Sequence, residues 1–124
     1  MAKKLILEDV AANAAADATC ALADGGFARL VAADGSTVAE CGFGIPAFDP
    51  ATAGVALSNP LARDADAKGG RVDRYEAYAA DGVTKLWTGT VGTEDANCIL
   101  SRLDILPGAE VTISLITHRQ PKQV

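Results

Sequence analysis

A chain of 124 residues, 49% hydrophobic but only 5% aromatic, has material for one domain with a modest core. Eleven basic residues against sixteen acidic ones leave a net charge of −5, and the cations are scattered, which excludes the clustered basic face that nucleic-acid phosphates require. No run approaches the roughly 20 apolar residues of a membrane span, and Glu8 and Asp9 cut off the short run Leu5-Ile6-Leu7 behind Lys3 and Lys4, so neither a membrane nor a secretory signal is expected.

Residues 4–23 are alanine-rich and free of Gly and Pro, with Leu7, Val10, Ala11, Ala14, Ala18 and Leu22 at helical spacing. The spacing predicts one amphipathic helix with a shallow apolar face, closed by Gly25-Gly26, so that residues 1–24 form a helix or arm. Residues 27–32 and 37–41 flank Ala33-Asp34-Gly35-Ser36, a hairpin signal. From 42 to 60 six Gly and Pro residues forbid long regular elements, with a short strand expected at 54–58. Residues 63–70 form a polar connection. A second hairpin joins 70–79 to 84–91 through Ala80-Asp81-Gly82, and brief strands follow at 97–100 and 103–106.

The last strand, 110–117, is expected to turn Val111, Ile113, Leu115 and Thr117 to one face and Thr112, Ser114 and Ile116 to the other. The fold class that follows is mainly β: an antiparallel β-sandwich or small barrel of seven or eight strands over 25–118, with a loose tail at 119–124. Its expected core includes Leu30, Tyr75, Trp87, Val111, Ile113 and Leu115. Arg29 to Val38 and Glu76 to Lys85 echo each other around their Ala-Asp-Gly turns, as two similar hairpins would.

Chemistry is sparse. Cys20, Cys41 and Cys98 form no Cys-x-x-Cys pair. They read either as three small buried thiols or as the source of one chain-to-chain disulfide, with Cys41 at a strand end the first candidate and Cys20 the second. Asp64-Ala65-Asp66 lacks the third ligand, central glycine and closing glutamate of a calcium loop. His118 stands without a placed nucleophile. Tyr75, Tyr78 and Trp87, at strand positions, suit packing better than a sugar platform. No catalytic, cofactor-binding or metal-binding residue is assigned, and no cofactor is expected.

One resemblance covers about three quarters of the chain. In order come a helix ending in Gly25-Gly26, Ala28-Arg-Leu-Val31, Val38-Ala-Glu40, Phe43-Gly-Ile-Pro-Ala-Phe48 and Gly54-Val-Ala-Leu-Ser58. Then follow Ala80-Asp81-Gly82, Leu86-Trp-Thr-Gly-Thr-Val-Gly92 and the close from Ile105 to Thr117. This order resembles the small head-decoration, or cement, proteins of tailed bacteriophages; Arg74 departs from it, where those proteins usually carry an aromatic. The resemblance implies a non-enzymatic virion protein, made in a bacterial cytoplasm and bound to the capsid exterior. Its partners would be the major capsid protein and itself, as a homotrimer. Docking is then expected through the N-terminal segment and the irregular 42–60 stretch, with Leu5, Leu7, Phe43, Ile45 and Phe48 as candidates. Two other readings stand beside it: a carbohydrate-binding or adhesion module on a β-sandwich, and a tail or head-completion protein.

Overall fold

A computed structural model describes residues 8–120. One helix, α1 (Asp9–Ala21), precedes nine strands: β1 (Phe27–Val31), β2 (Thr37–Gly42), β3 (Val55–Leu57), β4 (Gly70–Arg71), β5 (Arg74–Tyr78), β6 (Lys85–Gly92), β7 (Cys98–Leu100), β8 (Asp104–Ile105) and β9 (Ile113–Arg119). Seven strands form one sheet in the order β2-β1-β5-β6-β7-β9-β3, curled into a half-barrel, while β4 and β8 form a separate two-stranded ribbon.

The two expected hairpins are present, and turn chemistry explains them. Asp34 Oδ1 accepts bonds from the Ser36 N–H and hydroxyl at 2.9 and 2.7 Å. Asp81 Oδ1 accepts the N–H groups of Val83 and Thr84, both at 2.9 Å. Each aspartate closes its own turn without distant help. These bonds hold both carboxyls below the usual carboxylate range, led by Ser36 for Asp34 and by Thr84 for Asp81. The hairpins join first arm to first arm, antiparallel, with Arg29 opposite Glu76 and Leu30 opposite Tyr75.

The sheet is mixed, which corrects the antiparallel expectation. β6 and β7 run parallel through only two residue pairs, Val91 with Cys98 and Gly92 with Ile99. The five residues 93–97 step the chain sideways without reversing it. The polar 63–70 stretch is also more than a connection. Ala62 donates to the Gly42 carbonyl at 2.8 Å, Asp64 Oδ2 accepts the Glu40 N–H at 2.8 Å, and Asp64 and Val111 exchange backbone bonds at 2.8–2.9 Å. This strap covers the outer edge of β2 and ties it to the stretch leading into β9. At the other end of the sheet Asp49 donates to the Leu57 carbonyl at 2.9 Å, covering β3. Both sheet edges are thus blunted against edge-to-edge association.

The helix buries a different face from the one its apolar spacing indicates. Ala12, Ala16, Cys20 and Ala23 are buried against the sheet, whereas Val10 is 83% and Leu22 59% exposed. Leu7 lies outside the described residues. Polar anchors decide the rotation of α1. Asn13 Oδ1 accepts the Gly54 N–H, Asp17 Oδ1 that of Ala51, and Asp24 Oδ1 that of Ala47, each at 2.7 Å. The Gly- and Pro-rich 42–60 stretch therefore finds its hydrogen-bond acceptors on the helix.

The core contains Leu30, Tyr75, Val111 and Ile113 as expected, but Trp87 and Leu115 are only half-buried at its margin. A bulge moves Leu115 out. In the β7–β9 ladder Leu115 pairs with Ile99 and Ile113 with Leu100, so Ser114 is skipped. The extra residue flips the side-chain phase, and Ile113 and Ile116 both point inward. β9 begins later than expected and continues to Arg119, and Gln120 donates to the Gly54 carbonyl at 2.7 Å, so the start of the expected tail is tied down.

Candidate functional site

Of the five docking candidates, Leu5 and Leu7 lie outside the described residues. Phe43 and Phe48 are each 6% exposed, their rings 5.6 Å apart inside this chain's own core. Of the three described candidates, Ile45 alone faces solvent, at 80% exposure. Its Cδ1 lies over the backbone of Gly25, beside the Ala80 methyl. Two further apolar side chains are exposed on the segments that meet at Gly25 and Ala80: Leu22 at the helix end, 59%, and Val83 on the β5–β6 turn, 79%. The backbone around Ile45 is clamped: Gly25 donates to the Gly44 carbonyl at 3.2 Å and Phe43 to the Gly26 carbonyl at 2.9 Å. The meeting of Ile45 with the β5–β6 turn at Ala80 escapes a sequence reading because nothing local links the two segments.

All three cysteines are free and buried. The Cys41 thiol donates to the Val111 carbonyl at 3.6 Å, beneath the strap rather than at a surface. Burial pushes the thiols up, to about 12 for Cys20 and Cys98 and about 11 for Cys41. A buried, protonated thiol is a poor nucleophile. Ellman's reagent should therefore read no fast-reacting thiol in the native protein and three after denaturation. A chain-to-chain dimer band on a non-reducing gel would show instead that the strap opens around Cys41.

The richest polar constellation lies where the parallel junction opens the sheet. Asn97, just before β7, binds both flanking strands. Its Oδ1 accepts from the Thr90 hydroxyl at 2.9 Å, its N–H donates to that same hydroxyl oxygen at 3.0 Å, and its carbonyl accepts the Thr117 N–H at 2.7 Å. Beside it the Trp87 and His118 rings meet at 4.7 Å, with Phe48 6.0 Å from Trp87. Trp87 Nε1 donates to the Tyr75 hydroxyl at 2.8 Å, and burial pushes that phenol up to about 12. With Tyr75 and Tyr78 buried and the Trp87 N–H turned inward, no two of these rings form an open platform for a sugar.

His118 Nε2 is buried with no hydrogen-bond partner. Burial holds the imidazole below its ordinary pKa, opposed by a bond with the Gln120 side chain. The unfolded chain takes up this proton near pH 6.5 while the folded chain still resists it, so acid favours unfolding. The contribution is complete above pH 6.5 and is lost as pH falls toward the lower folded pKa. Urea midpoints for the protein and for His118→Gln should converge on acidification from pH 7.5 to 5.5; parallel curves would remove His118 from the account.

One face of the adjacent strands β2, β1, β5 and β6 carries a charged ladder that the sequence does not reveal. Arg29 Nε bonds Glu40 at 2.8 Å, and the Arg29 guanidinium covers the Tyr78 ring at 4.5 Å. The Tyr78 hydroxyl donates to Glu76 at 3.1 Å, and Glu76 faces Lys85 at 3.4 Å and Arg74 at 3.6 Å. Both partners of every contact come from this chain, so the ladder is self-satisfied. Asp64 Oδ1 caps the Asp66 N–H at 3.0 Å, a turn bond rather than a cation site. No group of three or more metal-ligating side chains occurs among the described residues, and no described helix is long and apolar enough to cross a membrane. No family model, no curated protein and no solved structure matches this chain.

Proposed function

We propose that this chain is a non-enzymatic structural protein of a tailed-phage virion, docked on the exterior of the head through the major capsid protein lattice and assembled there as a trimer. The order of turn and strand motifs from Gly25 to Thr117 supports the class. The observation that carries the docking is Ile45, 80% exposed where the helix end and the β5–β6 turn meet, with Leu22 and Val83 exposed on those two segments of an acidic chain. Exposed apolar side chains on a clamped backbone lose little entropy on binding and gain by leaving water. Blunted sheet edges keep such a protein from pairing with itself before assembly.

Heads assembled without the protein provide the test. The purified chain should co-sediment with them to a fixed, saturable stoichiometry, and Ile45→Asp combined with Leu22→Asp should weaken retention about tenfold or more. Val10→Asp, about 18 Å away along the helix axis at 1.5 Å per residue, should bind as the wild type. Absence of co-sedimentation, or equal retention of both variants, would sink the proposal.

A further inference from the structure

β7 has three residues, yet it lies between β6 with eight and β9 with seven. β6 meets β7 only through Val91 and Gly92, and β9 meets it only between Ile113 and Ile116. Beyond Asn97 the two long strands run on alone, and no described segment pairs with their facing edges. Neighbours of one strand stand about two strand spacings apart, roughly 9–10 Å. Among the described residues the sheet therefore holds an unfilled strand position, a slot closed at one end by Asn97.

The Asn97 side chain shows what this slot accommodates. Oδ1 accepts the Thr90 N–H and Nδ2 donates to the Thr117 carbonyl, each at 3.4 Å. A single amide thus touches both strand edges in the manner of a peptide unit. Because strand N–H groups alternate in direction, the Thr88 N–H faces the slot as that of Thr90 does. Two adjoining cavities of about 160 and 360 Å³ open here, with Thr88 and Asp95 on their walls and Arg119 shared between them. His118 and its unpartnered Nε2 belong to the smaller one.

We propose that this slot receives an extended peptide segment of another protein chain, three or four residues long, which adds a strand between β6 and β9. Two facing strand edges call for donors and acceptors that alternate at the strand repeat on both sides at once. A peptide backbone supplies that pattern along its whole length, whatever its side chains. The Trp87 and His118 rings, 4.7 Å apart, line one wall and restrict the side chains facing them to small ones, while Asp95 and Arg119 bias the others. This interaction is separate from docking through Ile45 and requires no capsid.

The test is a displayed random heptapeptide library selected on the full chain, followed by titration of the recovered synthetic peptides against the fluorescence of Trp87, the single tryptophan. Saturable binding is expected, with amide exchange slowed at least tenfold in residues 86–90 and 117–119. Thr88→Pro removes a donor facing the slot while sparing the ladder to β5, and should weaken binding at least tenfold. Recovery of no peptide beyond those caught by an unrelated β-domain overturns the proposal. So does exchange protection elsewhere in the chain, or a folded Thr88→Pro that binds unchanged. If Thr88→Pro does not fold, the exchange map of the wild-type complex decides. Quenching of Trp87 by neutral oligosaccharides with no response to peptides would also overturn it, and assign the slot to sugars.

Discussion

Gly26→Ala should lower the melting temperature by about 10 °C or more, a destabilisation on the order of 3 kcal/mol at the upper end of overpacking effects. A Cβ at residue 26 would overlap the Tyr78 carbonyl oxygen and stand 2.9 Å from the carbonyl carbons of Tyr78 and Ala79. All three are backbone atoms of β5 and its exit, fixed by pairing with β1 on one side and β6 on the other. They have no rotamer by which to yield. Gly42→Ala is the control, since its Cβ would meet only the Ala62 methyl at an ordinary 3.6 Å. Circular dichroism melts of the two variants check the contrast. Equal melting temperatures would mean that the helix end and the β5–β6 turn separate easily, and the clamped backbone around Ile45 would lose its basis.

Tyr75→Ala should cost about 3–5 kcal/mol, the range for truncating a fully buried aromatic. The ring is 1% exposed and covers Gly89 on the adjacent strand so closely that a Cβ there would overlap Cε1 and lie 2.8 Å from Cζ. Its hydroxyl also accepts the Trp87 indole N–H. Tyr75→Phe isolates that bond and should cost about 1–2 kcal/mol, the penalty for a half-buried donor left without a partner. Gly89→Ala alone should destabilise through the clash, yet cost far less in the Tyr75→Ala background, where the ring is gone. Urea denaturation of the four proteins in a double-mutant cycle gives the coupling directly. Additive costs would show that the ring has room to move off Gly89.

The charged ladder and the slot stand on opposite sides of β6 and illustrate two treatments of polar groups in one sheet. On the β5 side, Glu76 is 8% exposed and is satisfied by Tyr78, Arg74 and Lys85. On the β9 side, backbone edges and His118 Nε2 have no partner among the described residues. The unpaired edges of β6 and β9 can form backbone hydrogen bonds with an added strand, as they already do with the Asn97 amide at one end.

What the amino-acid sequence determined by itself is whatever is decided within a few residues. Asp34 and Asp81 close their turns on neighbours two and three positions away, so both hairpins are legible, and so is the helix stop at Gly25-Gly26. Alternation likewise groups Tyr75 with Ala77 and Val111 with Ile113, whereas in 27–32 it chooses no face, and Leu30 is fixed inward by its neighbours. Tertiary structure decided the rest. In an alanine-rich helix nearly every face is mildly apolar, and the buried one was chosen by Asn13, Asp17 and Asp24 finding N–H groups some 23 to 41 positions later. The strap at 63–70 gains meaning only from β2 and Val111, and the bulge at Ser114 only from β7. The parallel step at 93–97 and the slot it leaves have no local signature, because which strand stands beside which is set by contacts between segments distant in sequence. Local turn chemistry acts over a few ångströms of chain; faces, neighbours and vacancies in a sheet are properties of the whole packed arrangement.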